Sequence, residues 1–138
     1  MSSSDPAATS TRSIHVSAAV IVNDRDELLL VRKAGTTAFM QPGGKPEEGE
    51  TPAVTLSREL FEELGLTVDP EALRPLGLFT APAANEPGFL VVADVFVADI
   101  GHQVPVTDAE IEELRWVSRV DADHLEVAPL ARENFLPG

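Results

Sequence analysis

Three glutamates, Glu59, Glu62 and Glu63, stand within a single turn of one another in the stretch RELFEELGL. On a helix that spacing brings their side chains to one face, where each like-charge pair destabilises an isolated helix by roughly 0.2–0.5 kcal/mol. Convergent carboxylates suit a hard divalent cation. Mg²⁺ in particular uses a few carboxylates together with waters and substrate phosphates. Just upstream, Gly43 and Gly44 allow the backbone to approach a ligand closely and offer a carbonyl as a further oxygen donor. The charge balance points the same way. With a formal net charge of −13 and a pI near 4.4, the chain lacks the basic face that nucleic-acid binding needs. A phosphate-bearing substrate would need a cation to approach it. The chain has no cysteine, so disulfides and thiolate metal sites are excluded. His15, His102 and His124 form no ligand cluster in the sequence.

The elements that must position these residues follow from periodicity and caps. Pro52 to about Leu64 reads as a helix, with Thr51 as N-cap, Pro52 at the first position and Gly65 where a left-handed residue is wanted. Leu56, Leu60 and Leu64 recur every four residues beside the glutamates and should anchor the helix to a sheet. Before it, Ile14, Val16, Ala18 and Val20 share one face of a strand, NDRDE is a turn, and Glu27 to Lys33 returns as a second strand. FMQ is at most a short strand, and PGGKPEEGE reads as a loop. After the helix, LTV and LGLFTA are strand-like, and GFLVVADVFVADI is apolar on both faces, as a central covered strand should be. EELRWVS is a further strand, in which Trp116 is a packing residue, and APLARENFL is a short helix. The length of 138 residues fits one domain spanning 14–138, after a Ser/Thr/Ala/Pro-rich tail, 1–13, expected to be disordered. Neither a signal peptide nor an apolar run of membrane-spanning length is present, which makes the cytoplasm the default location.

Gly44, Glu50, Arg58, Glu59, Leu60, Glu62, Glu63, Gly65 and Leu66 fill every fixed position of the pattern G-x5-E-x7-R-E-U-x-E-E-x-G-U, where U is a bulky aliphatic residue. This resembles the signature of the Nudix hydrolase family. LLLVRK before FMQPGGK, and EIEELRWV afterwards, are similar to the family's flanks, so the likeness runs from Ile14 to Val117. The resemblance implies an α/β fold, an α+β-like sandwich with a mixed β-sheet packed between helices and a loop–helix–loop catalytic motif. It also implies hydrolysis of a nucleoside diphosphate linked to another moiety. Carried over by position, Glu59, Glu62 and Glu63 would be ligands for Mg²⁺, or for Mn²⁺ in its place, with the Gly43 carbonyl as an additional ligand. Glu50 and Arg58 would form a structural ion pair, and Gly44 and Gly65 would be structural glycines. The general base stays open between Glu59 and Glu110, which lies six residues before Trp116, with Glu112 and Glu113 as competitors.

Substrate choice is less legible. Arg32, Lys33 and Lys45 flank the motif and are natural phosphate contacts. Phe39, Phe79 and Phe89 could stack on a base, Phe39 being the nearest to the motif. The compact chain looks like the MutT-type members, so (deoxy)nucleoside triphosphates are the expected substrates. Pro82, 16 residues past Leu66, stands where ADP-ribose-hydrolysing relatives tend to carry proline, which keeps ADP-ribose or another nucleotide sugar open. A non-catalytic Nudix-fold nucleotide-binding regulator is a third reading, disfavoured because no glutamate of the motif is lost. A nucleotide-type small molecule is the expected partner, with neither nucleic acid nor membrane, and a homodimer stays open.

Overall fold

A computed structural model describes residues 12–108 and 110–137. Strand β1 (Arg12–Val20) pairs in parallel with β5 (Phe89–Val97) along its whole length, from Arg12 opposite Phe89 to Val20 opposite Val97. On its other edge β1 pairs antiparallel with the short β3 (Gly43–Gly44), and β5 pairs antiparallel with β4 (Arg74–Pro82). The mixed sheet therefore runs β3-β1-β5-β4, while β2 (Leu28–Lys33) and β6 (Ile111–Val117) form a separate antiparallel pair. Helix α1 (Pro52–Leu64) is followed by the short helices α2 (Arg119–Ala122) and α3 (Pro129–Asn134). This is the expected mixed sheet packed with helices.

The doubly apolar strands are explained by two cores. In β1, Ala18 and Val20 enter one buried cluster, while Ala19 and the following Ile21 enter the other. In β2 the split repeats, Leu28 and Leu30 against Leu29 and Val31, because successive strand side chains point to opposite faces. Helix α1 closes the second cluster with Leu56, Leu60 and Leu64, all fully buried. Each such leucine stabilises the helix's docking by roughly 1.5–3 kcal/mol. The helix ends lie where local chemistry puts them. The Thr51 side chain accepts from the Val54 N–H, and Gly65 ends the helix at φ 67°.

Several expectations are corrected. Strand β1 begins at Arg12, so Arg12 and Ser13 belong to the sheet and not to the tail; residues 1–11 of that tail lie outside the described residues. Leu66 and Val68 are buried and Thr67 between them is exposed, yet the segment is not a strand. The Gln103 side chain binds Thr67, accepting from its N–H at 2.8 Å and donating to its carbonyl at 3.0 Å. Gly43–Gly44, expected within a loop, pairs with β1. Helix α2 was not anticipated, although Ser118 and Asp121 form a capping box at its start.

Candidate active site

The leucine stripe of α1 fixes its rotation, and with it the direction of the motif's carboxylates. Strand β3 slips between β1 and this helix because its residues have no side chains. A Cβ on Gly43 would collide with the Ser17 carbonyl, and one on Gly44 with the Glu59 carboxylate. Gly43 also adopts φ 148°, which side chains disfavour. The Gly43 N–H then points at Glu63 and donates to its Oε1 at 3.3 Å.

Glu50 and Arg58 meet at the start of α1. The guanidinium grips the carboxylate with two bonds, Nε to Oε2 at 2.6 Å and Nη2 to Oε1 at 3.0 Å. Glu50 also accepts from the Glu47 N–H and the Thr55 hydroxyl, both at 2.8 Å. Arg58, and after it the Glu47 N–H, lower the Glu50 pKa to about 2. Arg58 Nη2 donates to the Lys45 carbonyl at 3.1 Å, which ties the loop to the helix.

The remaining carboxylates are differently served. Arg58 Nη1 bridges Glu59 Oε2 at 3.0 Å and Glu62 Oε1 at 3.2 Å. Glu63 lies deeper, with 7% of its surface exposed, and no cation pairs with it among the described residues. Burial first, and then the charge of Glu59, push the Glu63 pKa up to about 8. Burial also raises that of Glu59, against the pull of Arg58.

A metal cage is not preformed: among the described residues no three acidic or histidine side chains are arranged to hold an ion. The reason is visible, since the guanidinium draws Glu59 and Glu62 towards itself, leaving Glu62 half exposed. The donor set nevertheless fits a hard divalent cation. A cation already bridges two of the carboxylates, and burial raises the pKa of Glu59 and Glu63, a rise that a bound cation would oppose.

All three glutamates line a cavity of about 530 Å³, together with Gly43, Lys33, Lys45 and Glu110. Neither lysine is in an ion pair among the described residues, and the charge of Lys33 counters the pKa rise of Glu59 and Glu63. The far end of the cavity is apolar, walled by Ile14, Val16, Val91 and Leu130, with Pro82 and residues 83–86 at one side.

Two expected substrate contacts are corrected. Arg32 does not reach the cavity, because its guanidinium is bound to Glu112 at 3.1 Å, Glu113 at 3.3 Å and the Thr36 carbonyl at 2.9 Å. The same contacts hold Glu112 and Glu113 away as rival bases, and Arg115 binds Glu113 at 2.8 Å. Phe39 is buried in the core, 5% exposed, with the Arg115 guanidinium over its ring, so it cannot stack on a ligand in the cavity. Phe79 packs edge-on against Phe135, and Phe89 lies under Arg12. Trp116 packs against the core beneath α1. His15 pairs with Asp94 at 2.7 Å, and none of the three histidines lines the cavity. Sequence reasoning missed Thr36 and Gln41 as lining residues. The available signal was Gln41 itself, an amide directly before Pro42 where the neighbouring residues turn inward.

Residues 13–137 match the family model of the NUDIX domain. The chain belongs to the Nudix family. Phosphatase NudJ of Escherichia coli O1:K1 / APEC is 30% identical over 128 residues, which cover 88% of this chain and 80% of that protein. NAD-capped RNA hydrolase ndx-9 of Caenorhabditis elegans is 33% identical over 107 residues, 75% of this chain but only 28% of the relative's length. Among solved structures, the MutT protein of Methanosarcina mazei Go1 superposes with a TM-score of 0.67 at 25% identity, covering 89% of this chain and 90% of that one. Within this Nudix domain, β3, the loop from Lys45 to Thr51 and α1 form the motif, and the cavity opens beside it. No helix among the described residues is long and apolar enough to cross a membrane.

Proposed function

We propose that this Nudix domain is a divalent-metal-dependent pyrophosphohydrolase acting on nucleoside triphosphates. The observation that carries the reading is one cavity with two chemically opposite ends. Three carboxylates and two lysines that are in no ion pair among the described residues stand at one end, an apolar slot at the other. A nucleotide has the matching halves, anionic phosphates and a flat base.

Glu59, Glu62 and Glu63, with the Gly43 carbonyl, would hold Mg²⁺, or Mn²⁺ in its place. When bound, the ion offsets the charge of the phosphate oxygens and lowers the pKa of the attacking water. Lys33 and Lys45 contact the phosphates and keep the chain in line with the carboxylates. Glu110 enters from the segment preceding β6. Its carbonyl accepts from the Ala34 N–H at 2.8 Å, which anchors its backbone while its side chain lines the cavity. It takes the water's proton, with Glu59 as the competing base. Glu50 and Arg58 keep the loop and helix together.

A nucleotide sugar such as ADP-ribose is a second reading, favoured by one observation. Pro82 and the adjoining residues 83–86 wall the cavity, where they would meet a second sugar.

The test is a screen of nucleoside triphosphates, ADP-ribose and nucleotide sugars for Mg²⁺-dependent phosphate release. Turnover of a triphosphate to its monophosphate is the expected result, and chelation should abolish it. Nucleotide binding without any metal-dependent turnover would establish a binding module instead.

A further inference from the structure

The apolar end of the cavity contains one polar side chain with an unfinished hydrogen-bond account. Gln41 is 7% exposed and contributes to the cavity wall. Its Nε2 donates to the Ala19 carbonyl at 3.0 Å. Its Oε1 is the one buried side-chain atom without a partner among the described residues. The amide cannot be turned over to cure this. Exchanging its two ends would set Oε1 against the Ala19 carbonyl, two acceptors face to face. Gln41 is therefore held as an acceptor with nothing to accept from.

Leaving such an atom empty is unfavourable, and buried acceptors are satisfied in the great majority of folded proteins. The local sequence did not require it. Pro42 follows Gln41, and the Pro42 carbonyl already accepts from the Ala19 N–H, so β1 would hold this segment without the amide. An apolar side chain of similar length would fill the same space among Val16, Ala18 and Leu130 without an orphaned oxygen.

We propose that Gln41 Oε1 is the acceptor that reads the substrate's base, favouring an amino group over a carbonyl at the same ring position. The inference rests on the nucleotide reading above and sharpens it into a base class. Cytosine and adenine offer an N–H donor from their exocyclic amines. Uracil and hypoxanthine place a carbonyl oxygen at the corresponding position and would oppose acceptor to acceptor in an apolar slot. A site built around one hydrogen bond rejects the partner lacking it more strongly than any apolar contact does.

Two matched pairs isolate this single atom: CMP against UMP, and AMP against IMP. Binding is measured by calorimetry without metal, and kcat/KM is measured on the corresponding triphosphates with Mg²⁺. The wild-type chain should prefer the amino member of at least one pair by about tenfold or more, in binding and in kcat/KM. In Gln41→Met, which keeps length but removes the acceptor, that ratio should fall towards one. A thermal melt confirms that the variant is folded. If the variant does not fold, the wild-type ratios alone decide. Equal binding of both members of each pair by the wild-type chain overturns the proposal, as does a preference that survives in a folded Gln41→Met. Base-selective binding lost in Gln41→Met, without turnover of any nucleotide, would uphold the acceptor and remove only the hydrolase reading. Turnover without amino selectivity would do the reverse.

Discussion

Glu50 and Glu63 belong to the same motif and bracket the same helix, yet their surroundings are opposite. Glu50 faces a guanidinium that grips both its oxygens, and its pKa is lowered to about 2. Glu63 is buried against another carboxylate with one backbone N–H for support, and its pKa is raised to about 8. Residue type does not decide the outcome; burial and the nearest charge do. The Glu50 end is electrostatically complete and holds the loop in shape. The Glu63 end is short of positive charge, which leaves it fit to receive a cation. Arg58 connects the two, because its other arm bridges Glu59 and Glu62.

The hardest blow to this contrast is to remove charge at the incomplete end. Glu63→Gln or Glu62→Gln should lower Mg²⁺-dependent turnover by about 10²-fold or more, because each loses a ligand charge. Metal-free Glu63→Gln should at the same time melt higher than wild type at neutral pH, since glutamine escapes the cost of keeping an ionisable carboxyl buried beside Glu59. Steady-state kinetics and a melt on each protein check both halves. Unchanged turnover in both variants would sink the ligand assignment.

Glu110→Gln should reduce kcat by roughly 10²-fold with little change in KM or in the Mg²⁺ requirement. The acidic limb of the pH–rate profile should move or vanish with it. Retention of most of the rate with the same profile would return the proton to Glu59.

At the complete end the effect should fall on stability. Arg58→Ala should lower Tm by about 5 °C or more and reduce activity as well, because Glu50 and the Lys45 carbonyl lose a shared partner. In a double-mutant cycle with Glu50→Ala the two losses should be markedly less than additive. Simple additivity would mean that the pair contributes nothing as a pair.

The smallest effects are those of pH, and they have opposite signs. Glu50 is depressed from 4.5 to about 2, so its contribution is present above pH 4.5 and lost as pH falls through 2. Glu63 is raised from 4.5 to about 8, so its contribution is complete below pH 4.5 and lost as pH rises through 8. Denaturant titrations of the metal-free chain should show both limbs. Glu50→Ala should flatten the acid limb and Glu63→Gln the alkaline one, and a single limb shared by both variants would erase the contrast. Mg²⁺ should suppress the alkaline limb alone.

The helix that carries the site was legible to the residue. Thr51, Pro52 and Gly65 act through bonds to their immediate neighbours, so their meaning does not depend on the rest of the chain. The motif's glutamates and the Glu50–Arg58 spacing were legible for the same reason, being written on and next to one helix. What the tertiary structure alone decided is which way the strands turn their side chains. Arg32 and Lys33 are adjacent cations, equal in the sequence, and strand geometry sends neighbours to opposite faces. A register shift between them against β6 completes the separation, so that Arg32 meets Glu112 and Glu113 while Lys33 lines the cavity. Phe39 and Gln41 stand two residues apart and so share a face, yet the ring enters the core and the amide lines the cavity wall. Leu66–Val68 has a strand's composition but is not paired as one: the Leu66 N–H donates to the Leu60 carbonyl, Gln103 holds Thr67, and the Ser57 hydroxyl donates to the Val68 carbonyl. A cap needs only its own turn. A strand residue's role depends on what the fold places across from it, and those partners come from distant parts of the chain.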